Sequence, residues 1–240
     1  MPDTIAKIYC APYEDKDEIN YFYNFILKYK KEAKILIKGG VLGKGNEGWH
    51  NVAKHCIAVA IGANILAELL GADRDKIVKG CLLHDWYKRN EVKIMNKLGG
   101  QKGYEQSNKE DKKLLQKYGV PRDIIKIAHA NVVETADLKH LKKRSIEEKM
   151  MHYIDMITSE VEFVGYKKRL IKVLQKKRNV EFSESFRARP KYKGRALFEL
   201  NYDVIRDEQR ELEQKLGIKT GTMISFLKKK FKERINSDKK

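Results

Sequence analysis

Residues 52–88 read VAKHCIAVAIGANILAELLGADRDKIVKGCLLHDWYK, and they decide the fold. Val52, His55, Val59, Ala63, Leu66 and Leu70 recur at spacings of three and four, so they line one face of a helix from about Asn51 to Leu70. Gly71 follows where a helix C-cap would stand. Asp73 or Asp75 can cap a third helix reaching about Tyr87, whose inward stripe is Ile77, Cys81, His84 and Asp85. Three ionisable side chains, His55, His84 and Asp85, therefore lie on faces that ought to be apolar. Burying such groups is costly unless something pairs with them.

Helical signals continue outward on both sides. Residues 15–38 read as one helix, with acids at its start and lysines at its end, as the helix dipole prefers. Gly39-Gly40 stops it. The glycine-rich stretch 39–48 lacks the terminal Gly-Lys-Ser/Thr of a P-loop and reads as a connector. Residues 99–111, GGQKGYEQSNKED, read as a polar surface loop. A helix over 110–118 follows, and Pro121 then suits the first turn of another, carrying Ile124, Ile125, Ile127 and His129. Ser145 and Glu148 form a capping box that opens a helix over 145–163, with Asp155 at the edge of its stripe. Residues 180–195 read as an irregular basic loop, and two helices, about 196–216 and 221–235, close the chain. No segment reads as a strand. The expected class is all-α.

Totals narrow the function. The 240 residues carry 42% apolar and 35% charged side chains and a net charge of +18. That field favours anionic partners: nucleotides, nucleic acid or acidic surfaces. A Lys- and Ile-rich proteome would give the same excess. Three cysteines, Cys10, Cys56 and Cys81, without close spacing argue against a disulfide framework or a Cys-type zinc site and fit a reducing compartment. The first thirteen residues do not have the layout of a signal peptide. The apolar run from Cys56 to Leu70 falls short of the roughly 20 residues that span a bilayer. A cytoplasmic protein without a membrane anchor is expected; oligomeric state is left open.

The quoted stretch resembles the start of an HD-superfamily phosphohydrolase domain. That pattern has a histidine on a long helix, an apolar pair followed by His-Asp on the next, and a distant aspartate. Here these are His55, Leu82-Leu83-His84-Asp85, and Asp155 in SIEEKMMHYIDMIT. The resemblance covers roughly 46–165, leaving 1–45 as an N-terminal helix and connector and 166–240 as a basic helical extension packed on the domain. It implies an HD-type helical bundle with additional N- and C-terminal helices. It also implies that His55, His84, Asp85 and Asp155 hold a divalent ion (Mn, Co, Ni, Fe, Zn or Mg), one per chain. The implied reaction is hydrolysis of a phosphate ester or anhydride, with hydroxide supplied from a water of lowered pKa.

Asp85 would both ligate and orient the water. Lys88, one turn on, matches a lysine of some HD subfamilies and is assigned phosphate binding, with Arg89 assisting. His129 matches a position that in some subfamilies holds a second metal, but its companion histidine is missing between Asp85 and His129. It is then a candidate for phosphate, or a satisfied half-buried histidine. His50 could line the substrate mouth, His152 could stand behind the ligands, and His140 in DLKHLKKR reads as exposed.

Residues 163–195 carry twelve Lys or Arg against two Glu, interleaved with Phe163, Tyr166, Phe182, Phe186 and Tyr192. This suits phosphate contacts with base stacking, or simply a solvated face over buried aromatics. Three readings stay open: a nucleotide phosphohydrolase, an HD-type nuclease or phosphodiesterase on RNA or single strands, and a non-catalytic nucleotide-binding module.

Overall fold

The computed structural model describes residue 8, residues 14–130 and residues 143–237. His140 and Cys10 lie outside the described residues. Twelve α-helices and one two-stranded hairpin make up the described part. In order they are α1 Lys16–Leu27, α2 Lys30–Lys38, α3 His50–Leu70, α4 Arg74–Leu83, α5 Lys88–Leu98, α6 Gly100–Lys117 and α7 Arg122–Ala128. There follow α8 Ile146–Ile157, β1 Thr158–Ser159, β2 Glu162–Phe163, α9 Tyr166–Leu174, α10 Lys177–Glu184, α11 Leu197–Leu216 and α12 Met223–Ser237. Short 3-10 turns cover Glu47–Trp49 and Pro190–Tyr192. The all-α class is correct.

Helix α3 is the axis. From Ala53 to Ala67 every residue is buried, because α4, α8, α1 and α12 surround it. A helix apolar all round belongs in a core. By length and composition Glu47–Leu70 is also apolar enough to cross a membrane, but its apolar window is 78% buried within the protein. Gly71, at φ 65, ends it. Asp73 then caps α4 by accepting from the Lys76 N–H, and α4 packs closely on α3.

Five expectations need correction. Residues 15–38 are two helices, broken at Lys28 and Tyr29, so that α1 rests on α3 while α2 rests on α4. Tertiary packing overrides an uninterrupted local propensity here. The third helix ends at Leu83, and residues 84–87 form a turn. Residues 99–111 are not a loop; Gly99 joins α5 to α6 and 100–111 belong to α6, whose buried face is Gly103, Ser107, Asp111 and Leu115. Those positions have helical spacing, but three are small or polar, so no hydrophobic period betrays them. The helix over 145–163 stops at Ile157 and gives way to the hairpin, with Thr158 pairing Phe163. Within 180–195, α10 and a 3-10 turn replace much of the irregular loop.

The basic extension shares the main core. Ile205 and Leu212 of α11 and Met223, Leu227 and Phe231 of α12 join the same buried cluster as α3 and α8. A separate small cluster holds Phe186, Tyr192, Leu197 and Leu200.

Candidate metal centre

Three elements converge where the sequence placed its ionisable residues. The ligand atoms of His55 from α3, His84 at the C-cap of α4 and Asp155 from α8 all lie within 4.8 Å of one another. His55 Nε2 is 3.0 Å from Asp155 Oδ1, and His84 Nε2 is 3.6 Å from the same oxygen. Asp155 is 3% exposed, more deeply buried than its place at the edge of the apolar stripe suggests.

Both histidines are anchored through their other nitrogen. His84 Nδ1 donates to the carbonyl of Cys81 at 2.7 Å, using a group that the end of α4 would leave unpaired. His55 Nδ1 donates to the carbonyl of Glu160 at 2.9 Å, in the turn between β1 and β2. With Nδ1 committed as donor, each ring turns Nε2 to the centre; there His55 Nε2–H donates to Asp155, and an ion displacing that proton would meet a lone pair, as in metal-ligating histidines. His84 Nε2 is buried and has no hydrogen-bond partner among the described residues. Two imidazole nitrogens and a carboxylate with that orphaned atom fit a divalent transition ion.

Asp85 sits beside the triplet, its Oδ2 3.8 Å from His84 Nε2. The turn at 84–87 sets Asp85 next to the triplet, though not within the group of three whose ligand atoms lie within 4.8 Å of one another. Lys88, at the start of α5, places Nζ 3.7 Å from Asp85 Oδ1 and 2.8 Å from Glu91. Burial works against the charge of Lys88, but Asp85 and Glu91 hold it firmly protonated. Burial likewise works against ionisation of Asp85, and Lys88 and His84 still keep its carboxyl below the usual range. Burial would raise Asp155 too; Arg169, His84 and His55 hold it well below that range.

Other candidates have different neighbours. Arg89 donates to Asn46 Oδ1 at 2.5 Å, pinning the glycine-rich connector. His50 is buried with Nε2 3.1 Å from the carbonyl of Gly43, and it lines a cleft of about 610 Å³ formed with α1 and the hairpin. His129 Nε2 lies 3.3 Å from Asp111 Oδ2, outside the triplet, and Asp111 also accepts from the Trp86 indole N–H. His152 faces away toward α11, with Nδ1 2.6 Å from Glu208 Oε2, and Arg144 shares that carboxylate.

Two participants were missed. One is the backbone carbonyl of Glu160, which no side-chain pattern could reveal. The other is Arg169 of α9, whose Nη1 donates to Asp155 Oδ1 at 3.1 Å. It stands in a run of basic residues, where nothing distinguishes it from its neighbours.

Comparison with known families agrees with this geometry: residues 52–166 match the family model of the HD domain. This stretch of the chain is an HD domain, a family whose members are in general metal-dependent hydrolases. No curated protein and no solved structure matches the chain.

Proposed function

We propose that this chain is a metal-dependent phosphohydrolase that cleaves a phosphate ester or anhydride in a nucleotide-type substrate. The observation that carries this reading is the convergence of His55, His84 and Asp155, with a buried His84 Nε2 that makes no hydrogen bond to a described residue. Asp85 completes the ligand set and orients the attacking water. An ion bound there supplies a water of lowered pKa and offsets charge on the phosphoryl oxygens. Lys88 supplies a fixed positive charge one turn beyond Asp85, 37% exposed and so within reach of a phosphoryl group.

A nucleotide is favoured over a polynucleotide by the fate of the aromatics in 163–195. Phe163, Tyr166, Phe186 and Tyr192 are buried and Phe182 is half-buried against Tyr104 and Phe186, and a ring inside a core cannot stack on a base. The positive field then serves to attract a small anion.

The test is release of phosphate or nucleoside from a panel of nucleotides and short RNAs with manganese, cobalt or magnesium. Chelator should abolish turnover, as should Asp85→Ala. Turnover on RNA alone would point to the nuclease reading. Ligand binding without any turnover would point to a binding module.

A further inference from the structure

Asp155 Oδ1 is the most contested atom of the centre. It faces His55 Nε2, His84 Nε2 and the guanidinium of Arg169 at 3.0, 3.6 and 3.1 Å. Arg169 lies on α9, three residues past the end of the HD match at 166, so it is supplied by the extension rather than by the matched domain. Only its Nη1 is engaged; the other guanidinium nitrogens have no hydrogen bond to a described residue. Its side chain is 21% exposed, so the group reaches both the buried carboxylate and solvent.

A cation cannot share that oxygen with a divalent ion at no cost, since like charges a few ångströms apart repel strongly where water is scarce. The guanidinium is also a planar fork of donors suited to phosphoryl oxygens. Lys88 brings a second positive charge to the same cluster through Asp85.

We propose that Arg169 is a phosphate-binding residue of this centre, held on Asp155 until a divalent ion claims that oxygen. On metal loading the guanidinium turns to the phosphoryl group, which then lies between the metal seat, Lys88 and Arg169. The extension would thus complete the anion site of the HD domain. This inference rests on the metal-dependent reading above.

The experiment titrates the full chain, stripped of metal, with Mn²⁺ by calorimetry, and then titrates the Mn²⁺-loaded protein with inorganic phosphate. Wild type, Arg169→Gln and Arg169→Lys are compared. Arg169→Gln should bind Mn²⁺ more tightly, by about tenfold, because a competitor has gone, and phosphate more weakly, by about tenfold or more. Arg169→Lys should keep part of the phosphate affinity, and it carries the comparison if the glutamine variant does not fold. A residue that merely orients Asp155 predicts the opposite metal result: weaker Mn²⁺ binding in Arg169→Gln. That result, or phosphate affinity unchanged in both variants, would overturn the role of Arg169 alone. Failure of the wild type to bind Mn²⁺ would overturn the metal reading beneath it.

Discussion

His55, His84 and Asp85 were legible because each breaks a rule of burial, whereas Asp155, at the edge of its stripe, was legible only through the resemblance to HD domains. An imidazole or carboxylate on an apolar stripe needs a partner, and several such breaks in one order imply a common one. Arg169 breaks no rule, since a cation in a basic run is unremarked, and only the fold brings it to Asp155. Removing either ring at the triplet, His55→Ala or His84→Ala, should lower Mn²⁺ affinity by more than about 100-fold, measured by metal content after dialysis. Away from the centre, Glu18 offers a pH test. Burial first, then Asp15, Glu162 and Glu14, push its carboxyl up to about 6. The folded chain therefore holds a proton that the unfolded chain has already lost between the ordinary carboxyl range and pH 6. The contribution of Glu18 to stability falls as pH rises through that window. Glu18→Gln should stabilise the protein at pH 7.5 by up to about 1 kcal/mol, discounted for partial exposure, and give no gain near pH 4, as read from thermal midpoints.

At the level of elements, helices were legible where large apolar residues repeat and illegible where small ones do the packing. Helix α6 is the instructive case. A Cβ added at Gly103 would stand 2.6 Å from Met95 Cα and 3.0 Å from the Ile94 carbonyl oxygen, so α5 and α6 meet backbone to backbone. On an exposed helix, Gly→Ala would be favourable by about 1 kcal/mol. Here Gly103→Ala should instead cost about 1–3 kcal/mol, because backbone cannot yield as a side chain can. Urea denaturation gives the sign directly, and a stabilised variant would contradict this contact. The break between α1 and α2 was hidden for the converse reason: its sequence is a good helix throughout, and only packing on two different partners bends it.

For the whole molecule, the question is how the extension and the HD domain hold together. One bond network spans the junction: His152 of α8 and Arg144 just before it both pair with Glu208 of α11, and all three side chains are at most 7% exposed. Glu208→Ala would leave a buried guanidinium and a buried imidazole facing no carboxylate. The expected loss is about 3–5 kcal/mol, seen as a lowered midpoint of unfolding. Because Leu212, Leu227 and Phe231 share the main core, unfolding should be a single transition by both circular dichroism and tryptophan fluorescence. The sequence marked where the basic region begins, but composition could not tell that its helices close the same core.

The turn that receives His55 shapes what substitutions the chain can accept. Glu160 has φ 58, a conformation that tight two-residue turns demand and that side chains with a Cβ resist. Its carboxylate is 79% exposed, while its carbonyl fixes the tautomer of a ligating ring. The position therefore contributes shape rather than chemistry. In a saturation library it should show an inverted preference: glycine and asparagine enriched, charge-preserving aspartate no better than asparagine, and valine, isoleucine and proline depleted. A residue that looks like an ordinary exposed acid would then rank among the least permissive surface positions in the protein, for reasons lodged wholly in its backbone.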